Sequence, residues 1–260
     1  MSTVGFIGGG ALAESIIRGI CGKNFAPNDI FVCEIREPRC KELAARYGIN
    51  ASTQANFLDV ADMLIVAVKP VDAEKTFAAL QGKIPAQTLI TYTVAGLKLA
   101  AVEKFFPEHK IARIMPNVAV SVGESMTAYT PNKLAATCAA TVENFWSALG
   151  RAVKVDEKLM DAVTGLSGSG PAYAFLMIDA LADGGVAAGL SRATAIELAA
   201  QTLLGAAKMV LAGEHPDVLR DKVTSPAGTT IEGVRILERG AIRSSFIEAV
   251  IAATDKSKLL

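Results

Sequence analysis

The stretch Val4–Ala13, with the sequence VGFIGGGALA, decides the fold of the N-terminal half of the chain. Its first four residues predict a strand, and Ile16, Ile17 and Ile20 are spaced as on one face of a helix. Between them, a G-x-G-x-x-A spacing lets the backbone approach a pyrophosphate, and the helix N-terminus offers N–H groups to the phosphates. The position between a strand and a helix favours a dinucleotide site over a glycine-rich turn without a ligand.

Further apolar runs, separated by helical patterns, predict four more strands: Ile30–Cys33, Met63–Val68, Thr88–Thr91 and Lys110–Met115. Strands that alternate with helices are typical of an α/β fold with a parallel, doubly wound sheet. Ligands of such sheets bind beyond the carboxyl ends of the strands. Three segments are expected at that edge: Val68–Pro70, Thr93–Gly96 and Met115–Asn117.

The end of the second predicted strand bears on the choice between NAD and NADP. Glu34 lies about 20 residues past the glycine turn, where an acid commonly binds the ribose 2′-hydroxyl of NAD. Arg36 and Arg39 follow and are suited instead to the 2′-phosphate of NADP. The residues themselves leave both cofactors open.

Composition limits the classes of partner. The 260 residues comprise 51% hydrophobic side chains, with 26 basic and 26 acidic ones. Because phosphate binding usually needs a basic face, this balance argues against nucleic acid or an anionic membrane as the main partner. The mean hydropathy is +0.36, but the longest uncharged stretch, Ala162–Ile178, is interrupted by glycines and a proline, so we expect no transmembrane segment.

The N-terminus and the cysteines indicate the compartment. Met1–Val4 has no basic flank, so no signal peptide is expected. The four cysteines form no CxxC pair and the chain has two histidines, so we expect no metal site and reduced thiols in a cytoplasmic protein.

The second half of the chain is predicted to be helical from about Asp156. The predicted helices are Asp161–Leu166, Pro171–Ala188, Ser191–Ala212, Thr229–Arg239 and Ile242–Lys256. Several are alanine-rich and apolar on more than one face, which predicts a homodimer that covers them. We therefore expect two domains, a Rossmann-like domain at residues 1–156 and an all-α dimerisation and substrate-binding domain at residues 157–260.

One loop of the helical half, Val223–Glu232, is suited to binding a small carboxylate. Thr229 and Glu232 match the capping box S/T-x-x-E, which predicts the start of a helix. The hydroxyls of Ser225, Thr229 and Thr230 would then lie near the free N–H groups of its first turn. An ordinary capped helix is the alternative.

The residue types of the helical half favour an imine over an alcohol as substrate. A hydroxy-acid dehydrogenase needs a general acid-base. This half offers one histidine, His215, and no lysine between Leu159 and Ala207. The nitrogen of an imine substrate arrives protonated, which relaxes the need for a general acid. Orientation of the reactants can then supply most of the rate acceleration, by lowering the activation barrier by up to about 7–11 kcal/mol.

Five motifs in this order resemble the pyrroline-5-carboxylate reductase family over nearly the whole chain. They are Phe6–Gly10, Ala67–Pro70, Arg113–Asn117, Ser167–Tyr173 and Leu219–Glu232. The resemblance implies reduction of 1-pyrroline-5-carboxylate to L-proline, with NADPH preferred and NADH as an alternative. It also implies a homodimer and, in some members, a ring of dimers. The competing hypotheses are a related imine reductase, a hydroxy-acid dehydrogenase and a non-catalytic dinucleotide-binding protein.

The resemblance assigns residues to two sites. The dinucleotide would contact the glycine turn, three further loops and, at a 2′-phosphate, an arginine: Ile7, Gly8, Gly9, Gly10, Ala11, Leu12, Arg36, Asn56 (or Gln54), Ala67, Val68, Lys69, Pro70, Ala95 and Gly96. The substrate carboxylate would contact Val223, Ser225, Pro226, Ala227, Gly228, Thr229 and Thr230. The Thr230 hydroxyl would lie near the ring nitrogen and act in catalysis. Ala227 and Glu34 depart from the residues that the family pattern leads us to expect.

Overall fold

A computed structural model of the chain describes residues 2–259. Packing divides the chain into two compact units, one that ends at Ser169 and takes up the chain again from Ala252, and one that spans Gly170–Ile251.

The first unit is built on a sheet of eight strands. The strands are β1 Val4–Ile7, β2 Ile30–Cys33, β3 Asn50–Ser52, β4 Met63–Val66, β5 Leu89–Tyr92, β6 Ile111–Met115, β7 Ser125–Pro131 and β8 Gly150–Lys154. Their order is β3-β2-β1-β4-β5-β6-β7-β8. All neighbours are parallel except β6 and β7, which pair antiparallel.

Helices connect these strands. They are α1 Ala11–Ile20, α2 Glu37–Tyr47, α3 Pro70–Leu80, α4 Leu99–Glu103, α5 Ala139–Ser147 and α6 Met160–Val163. A π-helical turn, Thr164–Gly168, follows α6. Short 3-10 turns occupy Pro27–Asp29, Val118–Val122, Ala135–Cys138 and Glu157–Leu159.

Apolar layers cover both faces of the sheet, which explains the continuous apolar runs. All four residues of β4 are fully buried. Met63 and Ile65 pack in one core cluster, whereas Leu64 and Val66 pack in the other. A parallel strand with helices on both sides needs this composition.

The second unit is helical. Its helices are α7 Gly170–Ala187, α8 Arg192–Leu211, α9 Pro216–Lys222, α10 Thr229–Arg239 and α11 Ile242–Ser257, the last of which continues into the first unit. The Ser191 hydroxyl accepts from the Thr194 N–H and caps α8, as its sequence predicts. Gly213, with φ +109, follows the last turn and ends this helix.

The structure confirms the α/β fold class with a helical C-terminal part. Three strands, β3, β7 and β8, are not predicted by the apolar pattern of the sequence. These strands are polar or half-exposed at many positions, and β8 is at the edge of the sheet. Their weak apolar pattern explains why periodicity did not reveal them.

Candidate active site

The register of the sheet brings the predicted dinucleotide turns to one edge. Ile7 of β1 is paired with Cys33 of β2 and with Val66 of β4, and Val66 is paired with Tyr92 of β5. The segments that follow these residues therefore leave the sheet side by side. They include the glycine turn, Glu34 and the loops that begin at residues 67 and 93.

Gly8 has a structural role in the turn. Its φ is +100, and a Cβ placed on it would lie 2.5 Å from the carbonyl oxygen of Ala67. Any side chain would push the β1 turn away from the β4 loop. Glycine is thus required here for the turn and for the close approach of the two backbones.

Gly10, in contrast, faces open space at the start of α1. It is the N-cap with φ −70 and ψ −175, and no atom lies within 4 Å of a Cβ built on it. The first N–H groups of α1 have no intrahelical acceptor and point past this residue. This open space at a helix N-terminus fits the pyrophosphate of a dinucleotide.

Glu34 is buried beside the turn, and both of its carboxylate oxygens accept hydrogen bonds. Oε2 accepts from the N–H of Gly9 at 3.0 Å, and Oε1 accepts from Nε of Arg36 at 2.9 Å and from its N–H at 3.1 Å. Burial alone would raise the pKa of Glu34, but the bonds from Arg36 and Gly9 outweigh it and hold this pKa below its usual value. Arg36 remains largely exposed.

Arg39, the second candidate for the 2′-phosphate, is already bound within the protein. Its Nε donates to the carbonyl of Gly9 at 2.9 Å, and its Nη2 lies 2.5 Å from a carboxylate oxygen of Glu14. Glu14 also accepts from Arg46 and from the Tyr47 hydroxyl. These bonds, chiefly the one from Arg39, lower the pKa of Glu14 to about 2. Arg39 therefore supports the glycine turn, and Arg36 is the arginine that is open to a ligand.

The remaining predicted dinucleotide residues lie on the loops of the same edge or near it. The N–H of Ala67 donates to the carbonyl of Ile7, and Lys69 is the exposed N-cap of α3, followed by Pro70 in its first turn. Ala95 and Gly96 form a turn after β5. Asn56 and Gln54 line a shallow groove beside β2 and β3, and both are exposed.

In the second unit, the predicted substrate loop forms a tight turn before α10. The N–H of Gly228 donates to the carbonyl of Ser225 at 3.1 Å, and Ala227 has φ 55, a left-handed conformation that favours glycine. Gly228 is the N-cap of α10. A Cβ on Gly228 would lie 2.3 Å from the Ser225 hydroxyl, so a side chain here would make that hydroxyl rotate away.

The helix start at Thr229 is confirmed, but the capping box is wrong. Thr229 is the first helical residue and not the cap, and no side chain caps the helix. Glu232 instead pairs with Arg235, one helical turn ahead, at 2.8 Å. The N–H groups of the first turn are therefore left to a ligand or to solvent, and the side chains of Thr229 and Thr230 are exposed beside them.

Two of the five motifs, Arg113–Asn117 and Ser167–Tyr173, meet in the first unit. The side-chain amide of Asn117, just past β6, donates to the carbonyl of Ser167 in the π-helical turn at 3.0 Å. The two residues are 50 positions apart, and neither composition nor periodicity signals their contact. The resemblance named both motifs without linking them.

The helices of the second unit expose many large apolar side chains. They include Phe175, Leu176, Leu198, Met209, Leu211 and Ile247, each more than half exposed. Helix α8 is long and apolar enough to span a membrane by length and composition, but it also carries Arg192, Glu197 and Lys208. Such faces are typical of helices that a second subunit covers.

Within residues 2–259, no three His, Cys, Asp or Glu side chains are grouped as metal ligands are. The four cysteines carry free thiols.

Comparison with known proteins assigns both halves of the chain. A family model described as pyrroline-5-carboxylate reductase dimerisation matches residues 157–260, and one described as NADP oxidoreductase, coenzyme F420-dependent, matches residues 3–95.

Full-length relatives agree with these matches. The pyrroline-5-carboxylate reductase of Synechocystis sp. is 46% identical over 261 residues, which are 99% of this chain and 97% of that protein. The enzyme of that name from Methanosarcina acetivorans is 44% identical over 263 residues, with coverage of 99% and 97%. The structure of Plasmodium falciparum pyrroline carboxylate reductase with NADP bound superposes with a TM-score of 0.89 at 29% identity, and covers 99% of this chain and 97% of its own.

Proposed function

The chain belongs to the pyrroline-5-carboxylate reductase family, and we propose that it reduces 1-pyrroline-5-carboxylate to L-proline with NAD(P)H, the last step of proline biosynthesis. The observation that carries this proposal is the similarity to reductases of that name over 99% of the chain. The open glycine turn of the first unit and the uncapped helix start of the second unit supply the two kinds of binding group that the reaction needs.

The loops at the carboxyl edge of the sheet would hold the dinucleotide. Bound NADPH or NADH supplies the hydride to the imine carbon. The N–H groups at the start of α1, with Gly10 leaving room, hold the pyrophosphate. The other cofactor-binding residues are the rest of the turn, Ile7, Gly8, Gly9, Ala11 and Leu12, together with Asn56, Ala67, Val68, Lys69, Pro70, Ala95 and Gly96.

NADPH is the preferred cofactor and NADH the second. Arg36 is exposed, and its guanidinium is suited to a 2′-phosphate. Glu34 already pairs with Arg36 at 2.9 Å, so this preference is smaller than a free arginine would give.

The loop before α10 holds the substrate. The backbone N–H groups of its first turn bind the carboxylate, and the residues from Val223 to Thr229, with Ser225, Pro226, Ala227 and Gly228 between them, shape the turn around it. The hydroxyl of Thr230 lies near the ring nitrogen and orients it. Since the imine arrives protonated, its reduction neutralises a charge and leaves these residues the task of orientation.

The active form is a homodimer, because the exposed apolar helices of the second unit need a cover that one chain does not supply. A ring of dimers, the larger assembly that the resemblance implies for some members of the family, is the proposed alternative to an isolated dimer. The balance of basic and acidic residues argues against nucleic acid or an anionic membrane as the main partner. The free thiols of the four cysteines support a cytoplasmic location. The domain boundary between residues 156 and 157 stays a prediction, although the dimerisation-family match begins at the same residue.

Oxidation of NADPH and NADH by the pure protein, followed by absorbance with 1-pyrroline-5-carboxylate, tests the function. We expect oxidation with both cofactors, faster with NADPH, and L-proline as the product. NAD(P)H oxidation only with other cyclic imines, or with the 2-oxo acids that a hydroxy-acid dehydrogenase reduces, would replace 1-pyrroline-5-carboxylate as the substrate. Cofactor binding without turnover on any of these compounds would make the protein a dinucleotide-binding module.

The substitution Thr230→Ala tests the substrate loop. We expect kcat/KM for 1-pyrroline-5-carboxylate to fall by at least about tenfold, while Thr230→Ser retains most of it because the hydroxyl remains. Thr230→Ala with wild-type kcat/KM would remove Thr230 from the mechanism.

A further inference from the structure

Asn117 lies just beyond the carboxyl end of β6, with its side chain fully defined by hydrogen bonds. Its Oδ1 accepts from the N–H of Ala119 at 3.1 Å and caps the following 3-10 turn. Its Nδ2 donates to the carbonyl of Ser167 at 3.0 Å. Because Oδ1 is the acceptor for Ala119, the orientation of the amide is unambiguous.

The backbone of Asn117 is fixed as well. Its N–H donates to the Ser125 hydroxyl at 3.2 Å, and that hydroxyl lies 3.1 Å from the Thr127 hydroxyl. The position of the amide is therefore tied to β7, the antiparallel neighbour of β6. Asn117 is therefore held in a fixed position on the sheet.

The side-chain amide of Asn117 holds the π-helical turn at residues 164–168. π-helical turns are rare in proteins, and those that occur are often at functional sites. Two hydroxyls of this turn donate to carbonyls of the preceding helix α6, Thr164 to Met160 at 2.9 Å and Ser167 to Val163 at 3.2 Å. A Cβ on Gly168 would lie 3.8 Å from the sulfur of Met115, the last residue of β6, so the turn packs against the end of this strand.

This end of the sheet is where the chemistry is expected. The strand order places Glu34 and the glycine turn at β1 and β2, the adenosine side of the switch point, and a dinucleotide extends from there across β4 towards β5 and β6. Arg113 of β6 is level with Tyr92 of β5, so β6 continues two residues past the end of β5 and carries Asn117 beyond the edge.

We propose that Asn117 is a positioning residue for hydride transfer: it holds the π-helical turn 164–168 at the end of β6 and so fixes the part of the sheet edge that the hydride-donating end of a bound dinucleotide would reach. The inference rests on the proposed function. It assigns to Asn117 and Ser167, one residue from each motif, a joint role in the rate of reaction and none in dinucleotide affinity.

The test compares two asparagines at opposite ends of β6 whose side chains each accept from backbone N–H and donate to a backbone carbonyl. Asn132 accepts from the N–H groups of Ile111 and Ala135 and donates to the carbonyl of His109, at the amino end of the strand. Asn117→Ser and Asn132→Ser each keep a capping oxygen and remove the donated bond. Asn117→Asp is a second variant that keeps the shape but sets a carboxylate oxygen against the Ser167 carbonyl.

For Asn117→Ser and Asn117→Asp we expect kcat to fall at least about tenfold, with the NADPH dissociation constant within about twofold of wild type. The isotope effect with C4-deuterated NADPH should rise, because hydride transfer becomes slower than product release. Asn132→Ser should lower the melting temperature and leave kcat within about twofold.

Either of two results would overturn the inference. One is a wild-type kcat in a folded Asn117 variant. The other is a parallel loss of stability, NADPH affinity and kcat that Asn132→Ser reproduces. An inactive wild-type protein would instead overturn the proposed function, which keeps the two failures distinguishable.

Discussion

Gly8 and Gly10 lie in one glycine turn, yet we expect different effects when each gains a side chain. At Gly10 the main effect should be a loss of NADPH affinity, and at Gly8 a loss of folding stability. In Gly10→Val the new side chain meets no atom within 4 Å of its Cβ, and the backbone, at φ −70 and ψ −175, is one that valine adopts. The expected cost to folding is the poorer N-cap, about 1 kcal/mol. For a chain of this size that lowers the melting temperature by about 2–4 °C.

The effect of Gly10→Val on the cofactor should be much larger. The valine side chain fills the space in front of α1, so the N–H groups of the first turn can no longer reach a pyrophosphate. Loss of two hydrogen bonds to a charged group, at about 1.5–3 kcal/mol each, amounts to about 3–6 kcal/mol. The dissociation constant of NADPH should therefore rise at least about 100-fold.

Gly8→Ala is the matched comparison. The φ of +100 costs about 1–2 kcal/mol with a Cβ present. The contact of that Cβ with the Ala67 carbonyl at 2.5 Å adds overpacking strain of about 1–3 kcal/mol. Thermal melting and titration of NADPH fluorescence measure both variants. Wild-type NADPH affinity in folded Gly10→Val would refute the placement of the pyrophosphate.

Three further substitutions test the electrostatics and the strain. Glu34→Gln should raise the ratio of kcat/KM for NADPH to that for NADH by about tenfold, since Arg36 loses its carboxylate partner. Glu37→Gln, an exposed control, should leave this ratio unchanged. An unchanged ratio in Glu34→Gln would exclude a role of Glu34 in cofactor preference. Glu14→Gln should lower the free energy of unfolding at neutral pH by about 1–3 kcal/mol. Because the pKa of Glu14 is depressed from 4.5 to about 2, this difference should shrink as the pH falls through that range, and a difference independent of pH would contradict it. Ala227→Gly should stabilise the protein by about 0.5–1 kcal/mol, because relief of the left-handed strain exceeds the entropy cost of glycine; a lower melting temperature would contradict this.

The sequence predicts the strands that are buried on both faces and the long helices, because their apolar periodicity is strong. It fails for β7 and β8, where polar and apolar residues share the strand and an antiparallel pair interrupts the parallel order. The capping box is wrong for a local reason. A glycine before Thr229 adopts the cap position, and Glu232 has a closer partner in Arg235.

The candidate site is likewise predictable from the sequence only in part. The glycine turn is predictable because spacing and chemistry coincide within a few residues. The commitment of Arg39 to Glu14 and to the Gly9 carbonyl depends on contacts between α1 and α2 that no spacing reveals. The link from Asn117 to Ser167 likewise arises only when two distant segments fold together. The left-handed Ala227 explains in physical terms why glycine suits that position of the loop.

The most direct test of the proposed function compares the rate of NADPH oxidation with 1-pyrroline-5-carboxylate and with 1-pyrroline, which lacks the carboxylate. We predict rapid oxidation and stoichiometric L-proline with the first compound, and a kcat/KM at least about 100-fold lower with the second, since the loop before α10 binds the missing group with about 3 kcal/mol. Equal rates with the two compounds, or none with 1-pyrroline-5-carboxylate in a protein that binds NADPH, would contradict it.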